Sequence, residues 1–238
     1  MKPVALLLLV LLPTAPVWAS CFGSGCYLFY GGNFDPNHPD ANGLANETDS
    51  IVGGSPYGAA TYQNFVIPAA QTWNVGGLFT NDLMSLSPLS AYWELRTGIL
   101  EGSSGILISS GTGTDTVTPT GRAAFGLSEF TNVVPVNLSL VPGIYWFAVV
   151  PSDPNGYGRS FNTNTNGWNS VGSQVPDQQY FTSPSLGAYF TNADNEGVFP
   201  IFSSGVVATP EPSSLMMLGS ALLAAAFAVR RRSTSARE

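Results

Sequence analysis

Val136-Asn137-Leu138-Ser139-Leu140-Val141-Pro142-Gly143-Ile144-Tyr145-Trp146-Phe147-Ala148-Val149-Val150 is the stretch on which the fold turns. Its first run, Val136 to Leu140, alternates apolar and polar residues, as a strand does with one face in a core. Pro142-Gly143 is a turn signal. The second run, Ile144 to Val150, is apolar at every position. It is therefore expected in the centre of a sheet, covered on both faces, or near the rim of a sandwich. Tyr145 and Trp146 are then core residues before they are anything else.

Similar segments recur outward from this stretch: Tyr62 to Ile67, Thr72 to Phe79, Ala91 to Thr97, Gly105 to Ser110 and Val198 to Phe202. Short strand-like runs separated by turn residues are the rhythm of an antiparallel sandwich. The expectation is an all-β fold, a single jelly-roll-like antiparallel β-sandwich over residues 20–203, with 204–209 as a short exit linker. Composition agrees, since Gly and Pro number 26 and 18 while only 10% of the 238 residues are charged. No helix pattern occurs between the two ends, and no repeat of constant period.

Both ends read as processing segments. Lys2, the apolar run Val4 to Leu12 and Val17-Trp18-Ala19 form a signal peptide over residues 1–19, cleaved after Ala19. Nine consecutive apolar residues are too few to cross a hydrocarbon core of about 30 Å. Trp18-Ala19-Ser20-Cys21 also resembles a lipoprotein box, with Trp where that family prefers Leu, which would place a lipid on Cys21. Cys21 and Cys26, the chain's two cysteines, are a candidate disulfide in an oxidising compartment.

At the other end, Ser213 to Val229 carries no charge and is long enough, at the lower limit, to span a membrane as a helix. Arg230, Arg231 and Arg232 follow it. Arginines resist transfer through lipid, so the basic tail 230–238 stays cytoplasmic and the domain faces outward. The span is preceded by Pro210-Glu211-Pro212, a rigid tripeptide that breaks helices.

In this order, residues 210–238 resemble the sorting signal of the PEP-CTERM family of bacterial exported proteins. The resemblance implies an exosortase-type processing enzyme as partner, with Glu211 as a recognition residue of the substrate. It also implies a route from the inner membrane, domain outside, to the cell envelope or extracellular matrix. Thr120-Gly121-Arg122, Phe125-Gly126-Leu127 and the Leu-x-Pro-Gly-x-Tyr-Trp pattern resemble β-sandwich regions attached to other PEP-CTERM proteins, which carry no known site.

The charge of the domain narrows its partners. Without the leader and tail, residues 20–209 hold 13 acids against Arg96, Arg122 and Arg159, a formal net of −10. Such a surface repels nucleic acid and anionic lipid.

The sequence is poor in catalytic chemistry. A Ser-His-acid triad or a His-rich zinc site would have to use His38, the chain's one histidine. A glycosidase needs two carboxylates facing across a cleft, and Glu94 and Glu129 sit in strand-like contexts. Glu94, two residues from Arg96 on the same strand face, reads rather as half of a neutralised surface pair.

Two segments carry ligand chemistry. Asp35, Asn37, Asp40 and Asn42 offer hard oxygens that could partly supply a structural calcium, the one cofactor the sequence suggests. The same residues make Asx-turns, the simpler reading. In Asn155 to Gly172, read as a polar loop, Tyr157, Arg159 and Trp168 are candidate glycan contacts, since sugar C–H faces pack on aromatic rings. The expectation is a non-enzymatic protein of the envelope or exopolysaccharide matrix; the alternatives are a carbohydrate-binding module and a glycan-active hydrolase.

Overall fold

The computed structural model describes residues 26–48, 58–85, 87–152, 158–196 and 201–209. Fourteen strands among them form two antiparallel sheets. The first holds β1 (Tyr27–Tyr30), β2 (Gly43–Ala45), β4 (Trp73–Met84), β7 (Thr116–Ala124), β8 (Leu127–Leu140), β10 (Ser160–Thr165), β13 (Ile201–Phe202) and β14 (Ser204–Ala208). The second runs β12 (Ala188–Asn192), β11 (Tyr180–Ser183), β3 (Ala60–Ile67), β9 (Gly143–Ser152), β5 (Ser90–Thr97), β6 (Ile106–Thr114). The all-β, sandwich-like expectation holds.

Val141-Pro142 carries the chain from one sheet to the other. β8 pairs with β4 and β7 in the first sheet, while β9 pairs with β3 and β5 in the second. The proline cannot donate to a ladder, and the chain turns away there. β9 is central and buried on both faces, which is why its sequence does not alternate. Tyr145, Phe147 and Val149 enter the main core, while Trp146, Ala148 and Val150 enter a second cluster on the outer face.

The main core is aromatic at its centre. The Phe65 ring stacks on Trp73 and Tyr145, each at 5.6 Å between centroids, and meets Phe147 edge-on at 5.8 Å. Burying each such side chain contributes about 1.5–3 kcal/mol. Toward the other end the interior turns polar. Asn46 Nδ2 donates to Asp82 Oδ1 at 2.9 Å and to the Val149 carbonyl at 2.8 Å. Asn162 Nδ2 donates to Thr61 Oγ1 at 2.7 Å and to Ser204 Oγ at 2.9 Å. Each of these two amides ties the first sheet to the second.

Two readings of the sequence are corrected here. Residues 204–208, expected as a linker, are β14, an inner strand between β1 and β4. Gly205 permits the close approach: a Cβ there would stand 2.7 Å from the Phe29 carbonyl oxygen and run into the Phe79 ring. Within Asn155 to Gly172, expected as loop, Ser160–Thr165 is β10, paired with β2, β4 and β13. Its inward residues are polar, with Asn162 and Asn164 hydrogen-bonded to neighbouring segments, so no hydrophobic period marks it. Among the described residues, helix is confined to the 3₁₀ turns Pro184–Leu186 and Ala193–Glu196, and no helix is long and apolar enough to cross a membrane. The expected leader 1–19 and spanning helix 213–229 lie outside the described residues.

Candidate functional site: a groove on the outer face of the first sheet

Side chains of β4 and β8 that point away from the core form the floor of a groove of about 650 Å³. Phe79 and Asn81 come from β4 and Thr131 from β8; Tyr27 and Tyr30 of β1 stand on one side. Arg122 and Thr120 of β7 and the segment 169–171 complete the walls. Tyr27, Tyr30 and Phe79 form a three-ring cluster with centroids 5.3–5.5 Å apart.

A directed chain of hydrogen bonds runs under the floor. Thr131 Oγ1 donates to Asn81 Oδ1 at 2.6 Å. Asn81 Nδ2 then donates to Ser203 Oγ at 2.8 Å and to Tyr30 Oη at 3.1 Å. The Tyr30 hydroxyl in turn donates to Asn33 Oδ1 at 2.8 Å. Burial raises the pKa of the Tyr30 hydroxyl, which keeps it protonated as a donor. The Asn33 carbonyl oxygen is thus engaged, and its NH₂ has no acceptor among the described residues.

Arg122 is fixed from below. Its Nε donates to the carboxylate of Glu129, which is fully buried and also accepts from Thr163 Oγ1 at 2.8 Å and Thr120 Oγ1 at 2.6 Å. One of the five guanidinium N–H groups is used in this pair. The terminal amino groups find no partner among the described residues.

The sequence-predicted residues fall elsewhere. Glu94 is on the outer face of the second sheet and Glu129 on the outer face of the first, so the two do not face one another. Glu94 does pair with Arg96, at 2.8 and 3.0 Å, but the pair is not on the surface: their side chains are 2% and 14% exposed. Tyr62 and Tyr92 also donate to Glu94, and the Phe190 ring lies under Arg96. The aromatic residues packed on this face bury what spacing alone puts on a surface.

Asp35 Oδ1 accepts the Asn37 N–H at 3.0 Å, and Asn42 Oδ1 accepts the Gly43 N–H at 2.9 Å. The first is an Asx-turn bond, reaching two residues on; the second reaches only the next residue. His38 Nδ1 accepts the Asp40 N–H in the same loop. Among the described residues no three His, Cys, Asp or Glu side chains converge. Arg159 binds Glu47 through Nε at 2.9 Å to both oxygens and lies over Phe161. Trp168 is 62% exposed, and β10 separates it from Arg159 by about 17 Å of strand. Tyr157 lies outside the described residues, so the proposed trio is not assembled among them. Cys26 is disulfide-bonded; Cys21 lies outside the described residues.

Residues 208–232 match the PEP-CTERM protein-sorting motif. The class is therefore that of exported proteins sorted through the exosortase system, membrane-anchored and then surface-located. The chain carries the motif from Ala208, the last residue of β14. No curated protein and no solved structure matches the chain. Pro210, Glu211, Pro212 and the three arginines 230–232 lie within the match, outside the described residues.

Proposed function

We propose that the protein is a non-catalytic component of the cell envelope or exopolysaccharide layer, processed at its C-terminal motif. The observation that carries this reading is the use made of charge. Each of the domain's three arginines is paired with a buried glutamate: Arg96 with Glu94, Arg122 with Glu129, Arg159 with Glu47. Each charge is neutralised by its partner, within β5 for Arg96–Glu94 and between segments for the other two pairs, which leaves little to shift a catalytic pKa. The position of Glu94 and Glu129 on opposite outer faces argues against a hydrolase built on that pair.

Intact mass and fractionation, in cells with and without the exosortase-type enzyme, test the sorting half of the proposal. The expected result is loss of the tail and release to the surface fraction only where the enzyme is present, with Glu211→Ala blocking both. A chain that stays uncut and membrane-bound in both backgrounds overturns it.

A further inference from the structure

The groove on the first sheet has the chemistry of a binding site, and its lining selects a ligand class by elimination. Seven of the eleven lining residues are polar, which disfavours a purely apolar ligand. None is a carboxylate, which disfavours a metal ion. The one cation, Arg122, is already neutralised by Glu129, and the surrounding domain carries a formal net of −10, which disfavours nucleic acid and other polyanions. What fits is an uncharged ligand with hydrogen-bonding groups on its edges and C–H on its faces.

The geometry points to a neutral saccharide chain, held with a sugar face against the Tyr27 ring and hydroxyls on the Asn33 amide and the Arg122 amino groups. The donors are preorganised rather than mobile. Asn33 is oriented by the relay that begins at Thr131 and runs through Asn81 and Tyr30, and Arg122 by a carboxylate with no exposure. Preorganised donors reduce the ordering cost of binding. Tyr27 packs on Tyr30 and Phe79, is half-buried and lines the groove, so part of its ring is accessible to a sugar there. A volume of about 650 Å³ lies within the usual range of small-molecule sites and accommodates a short oligosaccharide segment. The inference deepens the envelope reading by naming what the domain would hold, but the binding test does not depend on sorting.

The test uses the full chain in a non-glycosidic detergent, with cellobiose and maltose as neutral probes and digalacturonate as charged comparator, followed by saturation-transfer NMR and titration. At least one neutral disaccharide is expected to bind with a Kd of about 1 mM, more tightly than digalacturonate. Asn33→Ala and Tyr27→Ala should each weaken it roughly fivefold or more, the loss of one ligand hydrogen bond or one ring contact. Asn169→Gly removes a groove amide while keeping a left-handed backbone position (φ 61°), and should leave the unfolding midpoint unchanged while weakening binding. Trp168→Ala, outside the groove, should leave affinity unchanged. The proposal is overturned by absence of binding to either neutral probe, by preference for digalacturonate, or by a loss that follows Trp168 and spares Asn33, Tyr27 and Asn169.

Discussion

The Tyr145 hydroxyl donates to the carbonyl oxygen of Val141 at 3.1 Å, closing the corner at which the chain leaves one sheet for the other. Tyr145 is at the same time a core residue, stacked on Phe65. One side chain therefore fixes both the packing of β9 and the path of the turn before it. Tyr145→Phe keeps the ring and leaves the Val141 carbonyl unsatisfied. It should cost about 1 kcal/mol, and a urea titration should show a lower midpoint at unchanged slope. No change in midpoint would mean that water replaces the hydroxyl and the corner is held by packing alone.

Gly205 offers a sharper test of the strand that sequence reading took for a linker. Gly205→Ala places a methyl group against the Phe29 backbone and the Phe79 ring, and overpacking of this kind costs about 1–3 kcal/mol. Truncation after Ser203 removes β14 from between β1 and β4 and should leave the domain unfolded by circular dichroism. A linker would tolerate both changes.

Why β14 was missed while β8 and β9 were legible is a matter of which signal burial leaves in sequence. β9 is buried among apolar neighbours on both faces and reads as a continuous apolar run. β14 is short, begins Ser-Gly, and has only Val206 and Val207 to pack, one on each face, so its sequence shows neither an alternating nor a long apolar run. β10 is buried through Asn162 and Thr163 bonded across strands, so its sequence, Ser-Phe-Asn-Thr-Asn-Thr, reads as a polar loop. The groove was illegible for a different reason. Its residues come from positions 27–33, 79–81, 120–131 and 169–171, and only strand register brings them together. The sorting motif is the opposite case: it is contiguous, so sequence alone carries it.

The Arg122–Glu129 pair should be strongly asymmetric in its response to mutation. Arg122→Ala leaves a fully buried carboxylate without its cation, a loss of about 3–5 kcal/mol. Glu129→Gln removes the charge and keeps an acceptor for one of the Thr120 and Thr163 hydroxyls, which donate to different carboxylate oxygens, while the other hydroxyl can turn to accept from the new NH₂, so it should cost less. Thermal unfolding of the two variants and the wild type orders them; equal losses would mean that shape rather than charge is being measured.

Asp82 and Asp115 are the groups expected to govern the pH dependence of the domain. Burial pushes its carboxyl up to about 8, against stabilising donors from Asn46 and from Asn132 Nδ2 at 2.8 Å. Asp115, between β6 and β7, is pushed up by burial to about 7. Both folded values lie above the ordinary range near 4, so the folded state binds protons that the unfolded state releases. Their contribution to stability is complete below about pH 4 and is lost as pH rises through 7 and 8, by up to about 1.4 kcal/mol per pH unit for each group. The melting temperature should therefore fall between pH 5 and pH 8, opposite to the trend of salt-bridged carboxylates. Asp82→Asn should flatten this fall and be the more stable protein at pH 8, by about 2–4 kcal/mol, since a neutral amide carries no desolvation cost of charge. The amide fits because Asn132 Oδ1 lacks a partner among the described residues, so rotating that side-chain amide presents an acceptor to the new NH₂, while Asn46 stays on the Val149 carbonyl and donates to the new Oδ1. A variant with the wild-type pH profile would show that Asp82 is ionised in the folded protein and that Asp115 or another group governs the slope.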